Sequence, residues 1–373
     1  MHKCCPFAVG LLILWWSGIV YAADMDFEIN TGIAYDSNVL RSDSSPEEDA
    51  YFTLSPKAAL TLAFYRAAFN LSSRAAWERY INRTDANLRE LIFSGLGRYN
   101  PSDYWSFGLQ EDFIVSEQLS SAEILTDVIE RRAFMENRFA TDVKRGLREE
   151  ILEVSLGYAN IIRNYRHTEK DDWASHAGRL QVEYFFGYRT SAQMNFGLTR
   201  KVYEAGGDYS RVPVTASLRR EITDEIDAIL SFGVDNRRYD EPYETRNWTE
   251  PSVSLVFTGE FTLKTASRLG LQRKVYDSDF AIGYAFVSKA ADIGLFLNPS
   301  DSVQLILQGI YSRNGYINFK RTDSFMEGRG EIRYRLLRWG AIALSYGYGN
   351  RSSSIPLFDY QQHLVGLSYV VIF

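Results

Sequence analysis

Cysteine is almost missing from this chain. Among 373 residues only Cys4 and Cys5 are cysteines, both within the first 22 positions. Beyond that segment no disulfide and no thiolate metal site can form. That suits a polypeptide that crosses an oxidising compartment with no bridge to make. Histidine is also scarce, with His167, His176 and His363 the only ones past residue 22. No two of them have metal-ligand spacing, and no glycine-rich phosphate loop is present. The one cluster, His176 beside Ser175 and near Asp171 and Asp172, reads as a solvated loop edge. An enzyme, a metal centre and a bound cofactor are therefore not expected.

Long apolar runs are missing too. Only Phe7–Val20, broken by Ser17, is an extended apolar run, and it is shorter than the roughly 20 residues that span a bilayer as a helix. With Lys3 before it and Val20-Tyr21-Ala22 after it, the run has the form of an export signal. The expected division is a signal peptide over 1–22 and a single domain over 23–373. Cys4 and Cys5 precede the apolar run, whereas an acylated lipoprotein cysteine follows it, so no lipid anchor is expected. Loss of residues 1–22 removes Lys3 and no acid, taking the net charge from −6 to −7. This charge argues against a nucleic-acid partner.

What the chain has is aromatic residues and alternation. It carries 24 Tyr, 23 Phe and 7 Trp, yet its mean hydropathy of −0.23 is that of a soluble protein. A transmembrane β-barrel reconciles the two, because only alternate residues face lipid. Strand-like runs of about 12 to 16 residues exceed the 5 or 6 usual in globular sheets, which argues against secreted β-sandwiches. Short turns are expected at Phe64-Tyr-Arg66, Asn100-Pro-Ser-Asp103, Lys144-Arg-Gly146, Gly187-Tyr-Arg189, Thr223-Asp-Glu225, Thr258-Gly-Glu260, Asn298-Pro-Ser-Asp301 and Arg338-Trp-Gly340. Longer polar loops are expected at 41–50, 82–86, 119–130, 166–173, 205–209, 240–246, 277–279, 316–322 and 352–359. Nine loops and eight turns give an all-β, antiparallel up-and-down barrel of about 18 strands, with 16 the nearest other even number. Short turns belong on the periplasmic side of such barrels, so both termini are expected in the periplasm, with the barrel integral to a Gram-negative outer membrane.

Period two assigns the faces. Ala67, Phe69, Leu71 and Trp77 oppose Asn70, Ser72, Arg74 and Glu78; Met326, Ile332, Tyr334 and Leu336 oppose Glu327, Arg329, Glu331, Arg333 and Arg335. Charges in hydrocarbon are costly, so the apolar face should meet lipid and the charged face a hydrated interior. Candidate interior residues are Arg74, Arg132, Glu136, Arg138, Lys264, Arg268, Gln272, Lys274 and the row Glu327, Arg329, Glu331, Arg333, Arg335. That row reads either as neutralised pairs stiffening the wall or as a basic track for an anionic solute, and the interleaving favours the first. Trp105, Phe107, Leu109, Phe113 and Val115 share an apolar face on which Glu111 also falls, which suggests a bulge or a slip of register. The acidic stretch Ser42–Asp49 reads as a solvated loop.

Two stretches carry family resemblances. The last strand, with Val365, Leu367, Tyr369, Val371 and Phe373 on one face, resembles the C-terminal strand of outer-membrane barrels. That resemblance implies recognition of Tyr369, Val371 and Phe373 by the outer-membrane assembly machinery. Gly32-Ile-Ala-Tyr35-Asp36-Ser-Asn38-Val39 resembles the G-x-x-Y-D-x-N-V opening of an outer-membrane β-barrel porin family associated with exopolysaccharide biosynthesis and export loci. The resemblance implies a barrel of about this strand number and passage of secreted polysaccharide, with periplasmic export components as possible partners. The residues themselves support a structural role: Tyr35 as a girdle aromatic, Asp36 and Asn38 turned inward to fix the first loop. The expected function is a porin-like conduit for exopolysaccharide export, with an uptake porin for small hydrophilic molecules as the alternative. The absence of a plug domain or an energy-coupling box points away from energy-coupled transport.

Overall fold

The computed structural model describes residues 22–42, 45–119, 131–147, 151–166, 172–204, 207–240, 247–262, 264–277, 285–317 and 320–373. They form eighteen strands: β1 (Ala22–Asp36), β2 (Asp49–Ala63), β3 (Ala67–Tyr80), β4 (Leu88–Ser102), β5 (Trp105–Leu119), β6 (Arg131–Leu147), β7 (Leu152–Tyr165), β8 (Trp173–Gly187), β9 (Thr190–Tyr203), β10 (Tyr209–Thr223), β11 (Ile226–Tyr239), β12 (Asn247–Thr262), β13 (Thr265–Asp277), β14 (Ala285–Ser300), β15 (Val303–Tyr316), β16 (Thr322–Leu337), β17 (Gly340–Ser353) and β18 (Tyr360–Ile372). Each pairs antiparallel with the next, and β1 also pairs with β18, so the sheet closes into a barrel without a free edge. Closure matters because lipid offers no partner to an unpaired backbone group. The strand number agrees with the sequence reading. No helix among the described residues is long and apolar enough to cross a membrane.

The turns fall close to their predicted positions, with instructive shifts. Asn100-Pro-Ser and Asn298-Pro-Ser belong to strands, not turns, and the chain reverses just after them. In both places the ladder slips, between Tyr99 and Ser102 and between Leu297 and Ser300. Proline cannot donate to a ladder, so it is housed in a bulge. β12 runs past Thr258-Gly-Glu260 to Thr262, with a similar slip after Glu260. Residues 1–21, and with them nearly all of the predicted export segment, lie outside the described residues.

Register carries face assignment from strand to strand. Leu71 pairs with Gly95, Gly95 with Glu111 and Glu111 with Phe139, so all four share the outward face. Outward Leu71, Trp77, Phe113, Leu180, Phe196, Phe232, Leu269, Ile293, Leu307, Ile332 and Leu344 form the apolar exterior. Among the described residues the barrel has no continuous apolar centre. Its best-packed apolar groups lie inside at the long-loop end, where Phe134, Tyr165, Trp173, Tyr203, Tyr209 and Tyr239 form one buried cluster.

The start of β1 and the end of β18 meet at the short-turn end. Phe373 N–H donates to the Phe27 carbonyl at 2.8 Å, and the two rings lie 5.9 Å apart. Deleting Phe373 removes this last contact of the closing seam. The expected result is a several-fold drop in folded barrel in the outer membrane, read as heat-modifiable mobility on gels; an unchanged level would show that the terminal aromatic is dispensable.

Candidate functional site

The opening motif turns out to be the fastener of the seam between β1 and β18. Tyr35 points outward and Asp36 inward, as expected. Asp36 and Asn38 are both buried. Asp36 Oδ1 accepts from the Asn38 backbone N–H at 2.8 Å, and its Oδ2 accepts from Gln362 Nε2 at 2.8 Å. Asn38 Nδ2 donates to the Gln361 carbonyl at 2.9 Å and to the Ser42 carbonyl at 2.8 Å. These bonds tie the first loop to the last strand. Beside them Asp49 accepts from the backbone N–H groups of Asn82 and Arg83, and Arg83 reaches Glu47 and Asp85. The hydrogen bond from Arg83 holds the Asp85 carboxyl below the usual carboxylate range. The acidic first loop is thus partly organised by Arg83 and Asn82.

The inward face is the candidate site, because it is the hydrated surface that a solute would meet. Arg74, Glu136, Arg138, Arg268, Gln272, Lys274 and the β16 row Glu327, Arg329, Glu331, Arg333 and Arg335 all lie on it by register. Arg132 belongs to β6 on the same parity, opposite Gln118; its side chain lies outside the described residues. Lys264 is a correction. It sits in the turn between β12 and β13, where its Nζ faces Asp301 at 3.9 Å, so it belongs to the rim. Its turn had been expected four residues earlier, which would have left Lys264 in the strand.

Pairing on this face is asymmetric. Arg329 and Arg333 hold the two oxygens of Glu331 at 3.1 and 3.0 Å, yet Glu331 is 11% exposed against 58% and 39% for the arginines. Glu136 is 1% exposed beneath Arg138 at 48%. Asp292 is 27% exposed beside Arg268 at 56%, 3.1 Å away. In these three sets the guanidinium group is the more exposed partner, while Glu327 of the same row is itself exposed. Arg74, Lys274 and Arg335 are exposed there as well and have no ion-pair partner among the described residues. Arg329 stands between Gln308 and Gly347 in register, so no side chain lies beside it on the β17 side.

Sequence reasoning missed a collar at the long-loop end. Arg163 stacks over Phe134 at 4.5 Å and Trp173 at 5.1 Å; Lys201 lies 3.9 Å from the Trp173 ring; Arg237 lies 5.1 Å from Trp248. Desolvated contacts of this kind contribute as much as about 2 kcal/mol each. The signal was present as a cation two residues from an aromatic at strand ends: Arg163 with Tyr165, Lys201 with Tyr203, Tyr209 with Arg211, Arg237 with Tyr239. Such spacing puts both side chains on one face.

His176 and Ser175 do not form a site. They lie on opposite faces of β8, and His176 faces outward, 2.8 Å from Tyr158 Oη and 3.2 Å from Asn160 Nδ2. Asp171 lies outside the described residues, and Asp172 accepts from the Tyr165 backbone N–H at 2.6 Å. Among the described residues no group of three His, Cys, Asp or Glu side chains is placed to hold a metal ion.

A closed eighteen-strand antiparallel barrel with an apolar exterior and a charged interior has the form of an outer-membrane β-barrel. Residues 230–373, from within β11 to the last residue, match the family model described as "Putative beta-barrel porin 2". No curated protein matches. Among solved structures, a BenF-like porin from Pseudomonas fluorescens Pf-5 is 11% identical, covering 95% of this chain and 100% of that one, with a TM-score of 0.56. OccK2 (OpdF) from Pseudomonas aeruginosa, solved in complex with glucuronate, is 11% identical with the same coverages and a TM-score of 0.53. The outer membrane protein OpdK from Pseudomonas aeruginosa is 12% identical, again at 95% and 100%, with a TM-score of 0.51. At these identities the likeness is one of fold.

Proposed function

We propose that this barrel is a passive conduit for small hydrophilic solutes and that it favours anionic ones. The observation that carries the proposal is the exposure asymmetry within the ion pairs: Arg138, Arg268, Arg329 and Arg333 are more open to a passing solute than Glu136, Asp292 and Glu331, and of the β16 acids only Glu327 is exposed. The basic-track reading of the β16 row is thereby preferred to the neutralised one. An arginine fork matches a carboxylate in two parallel hydrogen bonds. Similar folds have been solved with glucuronate and with vanillate, both acids, which supports small-solute uptake over the polysaccharide export first expected. In this reading residues 1–22 direct export, both termini are periplasmic, and the assembly machinery inserts the barrel.

Two measurements test it. In planar bilayers the purified barrel should pass chloride over potassium, and Arg329→Gln with Arg333→Gln should reduce that preference about two- to five-fold. The preference should also fade near 1 M salt, where the screening length is only about 3 Å. A cation preference in the unmodified protein would overturn the anionic reading. In the host, deletion should slow uptake of a uronate while surface polymer stays unchanged. Loss of external polymer with normal solute uptake would sink the solute reading and restore export.

A further inference from the structure

On the outer wall of the barrel stands a carboxylic acid. Glu111 lies in β5 between Gly95 of β4 and Phe139 of β6, on the face it shares with Phe107, Leu109, Phe113 and Val115. The sequence suggested a bulge or a slip of register here, but the ladders on both sides run unbroken through it. From Trp105 at the start of β5, six residues at ~3.4 Å each along a strand tilted ~40° raise Glu111 roughly 15 Å above the short-turn end. That is near the middle of an apolar band about 25 Å tall.

Glu111 is not alone there. Asn137 Nδ2 donates to its Oε1 at 3.1 Å. Asn160 lies opposite Phe139, and His176 opposite Asn160, so outward polar side chains continue along one register row across β7 and β8. Among the described residues Glu111 Oε2 accepts no hydrogen bond, and Asn137 retains a second amide N–H. An ionisable side chain in hydrocarbon is costly and marks a surface with a partner.

We infer that this wall, centred on Glu111 and Asn137, binds a second copy of the same barrel. Lipid headgroups cannot serve, because they lie at the edges of the apolar band and this pair lies near its middle. Only another protein side chain brings hydrogen-bonding groups to that depth. The patch also complements itself: it holds a free acceptor and a free donor side by side. A two-fold axis sets Asn137 of each copy against Glu111 of the other, the arrangement of an isologous interface. Gly95 next to Glu111 fits this reading. A Cβ there would meet only Leu71 at 3.5 Å and the Glu111 carbonyl at 3.9 Å, ordinary contacts, so the barrel's own packing does not demand glycine. The missing side chain leaves a hollow through which a partner approaches closely, as small residues do between helices in membranes.

The test uses the near absence of cysteine. In the full-length Cys4→Ser/Cys5→Ser background, Phe113→Cys places one thiol beside Glu111, and Ile332→Cys places one on the outer face of β16. Outer membranes are oxidised with copper phenanthroline and run without reductant, with heat-modifiable mobility confirming folded barrels. Phe113→Cys is expected to give a disulfide-linked dimer and Ile332→Cys none. Adding Glu111→Leu and Asn137→Leu should lower the Phe113→Cys dimer at least ten-fold while the barrel stays folded. No dimer at Phe113→Cys, or an equal dimer in the leucine background, would overturn the inference. Native mass spectrometry of the unmodified protein in detergent provides a readout free of substitution in the wall; a single barrel mass would also overturn it.

Discussion

Gly32→Val should leave at least ten-fold less folded barrel in the outer membrane than the unmodified chain. Gly32 lies on the inward face of β1, paired with Ser368 of β18 on one side and Thr53 of β2 on the other. A Cβ built on it would stand 2.5 Å from the Leu367 carbonyl oxygen and 2.9 Å from Ser368 Cβ. The obstruction is backbone of the closing strand, so no rotamer relieves it. The ladder itself would have to part. A barrel that fails at one seam exposes two strand edges to lipid, where unpaired backbone groups cost several kcal/mol each. The control is Gly178→Ala, since nothing lies within 4 Å of a Cβ at that position; it should accumulate normally. Heat-modifiable mobility and surface protease accessibility read both variants. Normal accumulation of Gly32→Val would show that the seam widens without penalty.

Why the fold was readable from sequence and the site only partly follows from the same geometry. Alternation is a local property with a period of two, so Met326 to Leu336 against Glu327 to Arg335 announces its faces without knowledge of any neighbour. The strand number follows from turns, and turn residues are local too. Where turns were misplaced, as at Asn100-Pro-Ser and Asn298-Pro-Ser, a bulge absorbed the proline and let the strand run on. The asymmetry of Arg329, Glu331 and Arg333 was hidden. It depends on side-chain length and on which end of each pair faces open space, and neither shows in an alternation pattern. Glu111 is the opposite case. Its parity was read correctly, and the bulge invoked to explain it away is absent. A residue that breaks a local rule is where function or partnership is to be sought. The opening motif showed its structural meaning because Tyr35, Asp36 and Asn38 obey parity. Its bonds to Gln361 and Gln362, more than three hundred residues away, could come only from the closed barrel.

Asp323→Ala should lower the stability of the folded barrel by about 3–5 kcal/mol, the range for removing one partner of a buried ion pair. Asp323 is 1% exposed near the long-loop end of β16. Its carboxylate accepts from Arg321 Nε at 2.9 Å, from an Arg321 terminal nitrogen at 2.8 Å, from Ser353 Oγ at 2.6 Å, from Tyr316 Oη at 3.3 Å and from Arg351. One side chain therefore joins β15, β16 and β17 where their ladders end. Arg321 is itself buried, its guanidinium 3.6 Å from the Phe358 ring centre. Without the carboxylate, two guanidinium groups face each other in a site with little water, and the cost is their desolvation and repulsion. Asp323→Asn keeps the shape and one acceptor but loses the charge, so it should recover only part of the loss. Guanidinium titration of the barrel in lipid vesicles, followed by tryptophan fluorescence, separates the cases. A lowered midpoint at unchanged slope reports lost stability in the same folded state. A midpoint unmoved by Asp323→Ala would mean that Arg321 and Arg351 find other acceptors and that the ends of β15–β17 do not depend on this carboxylate.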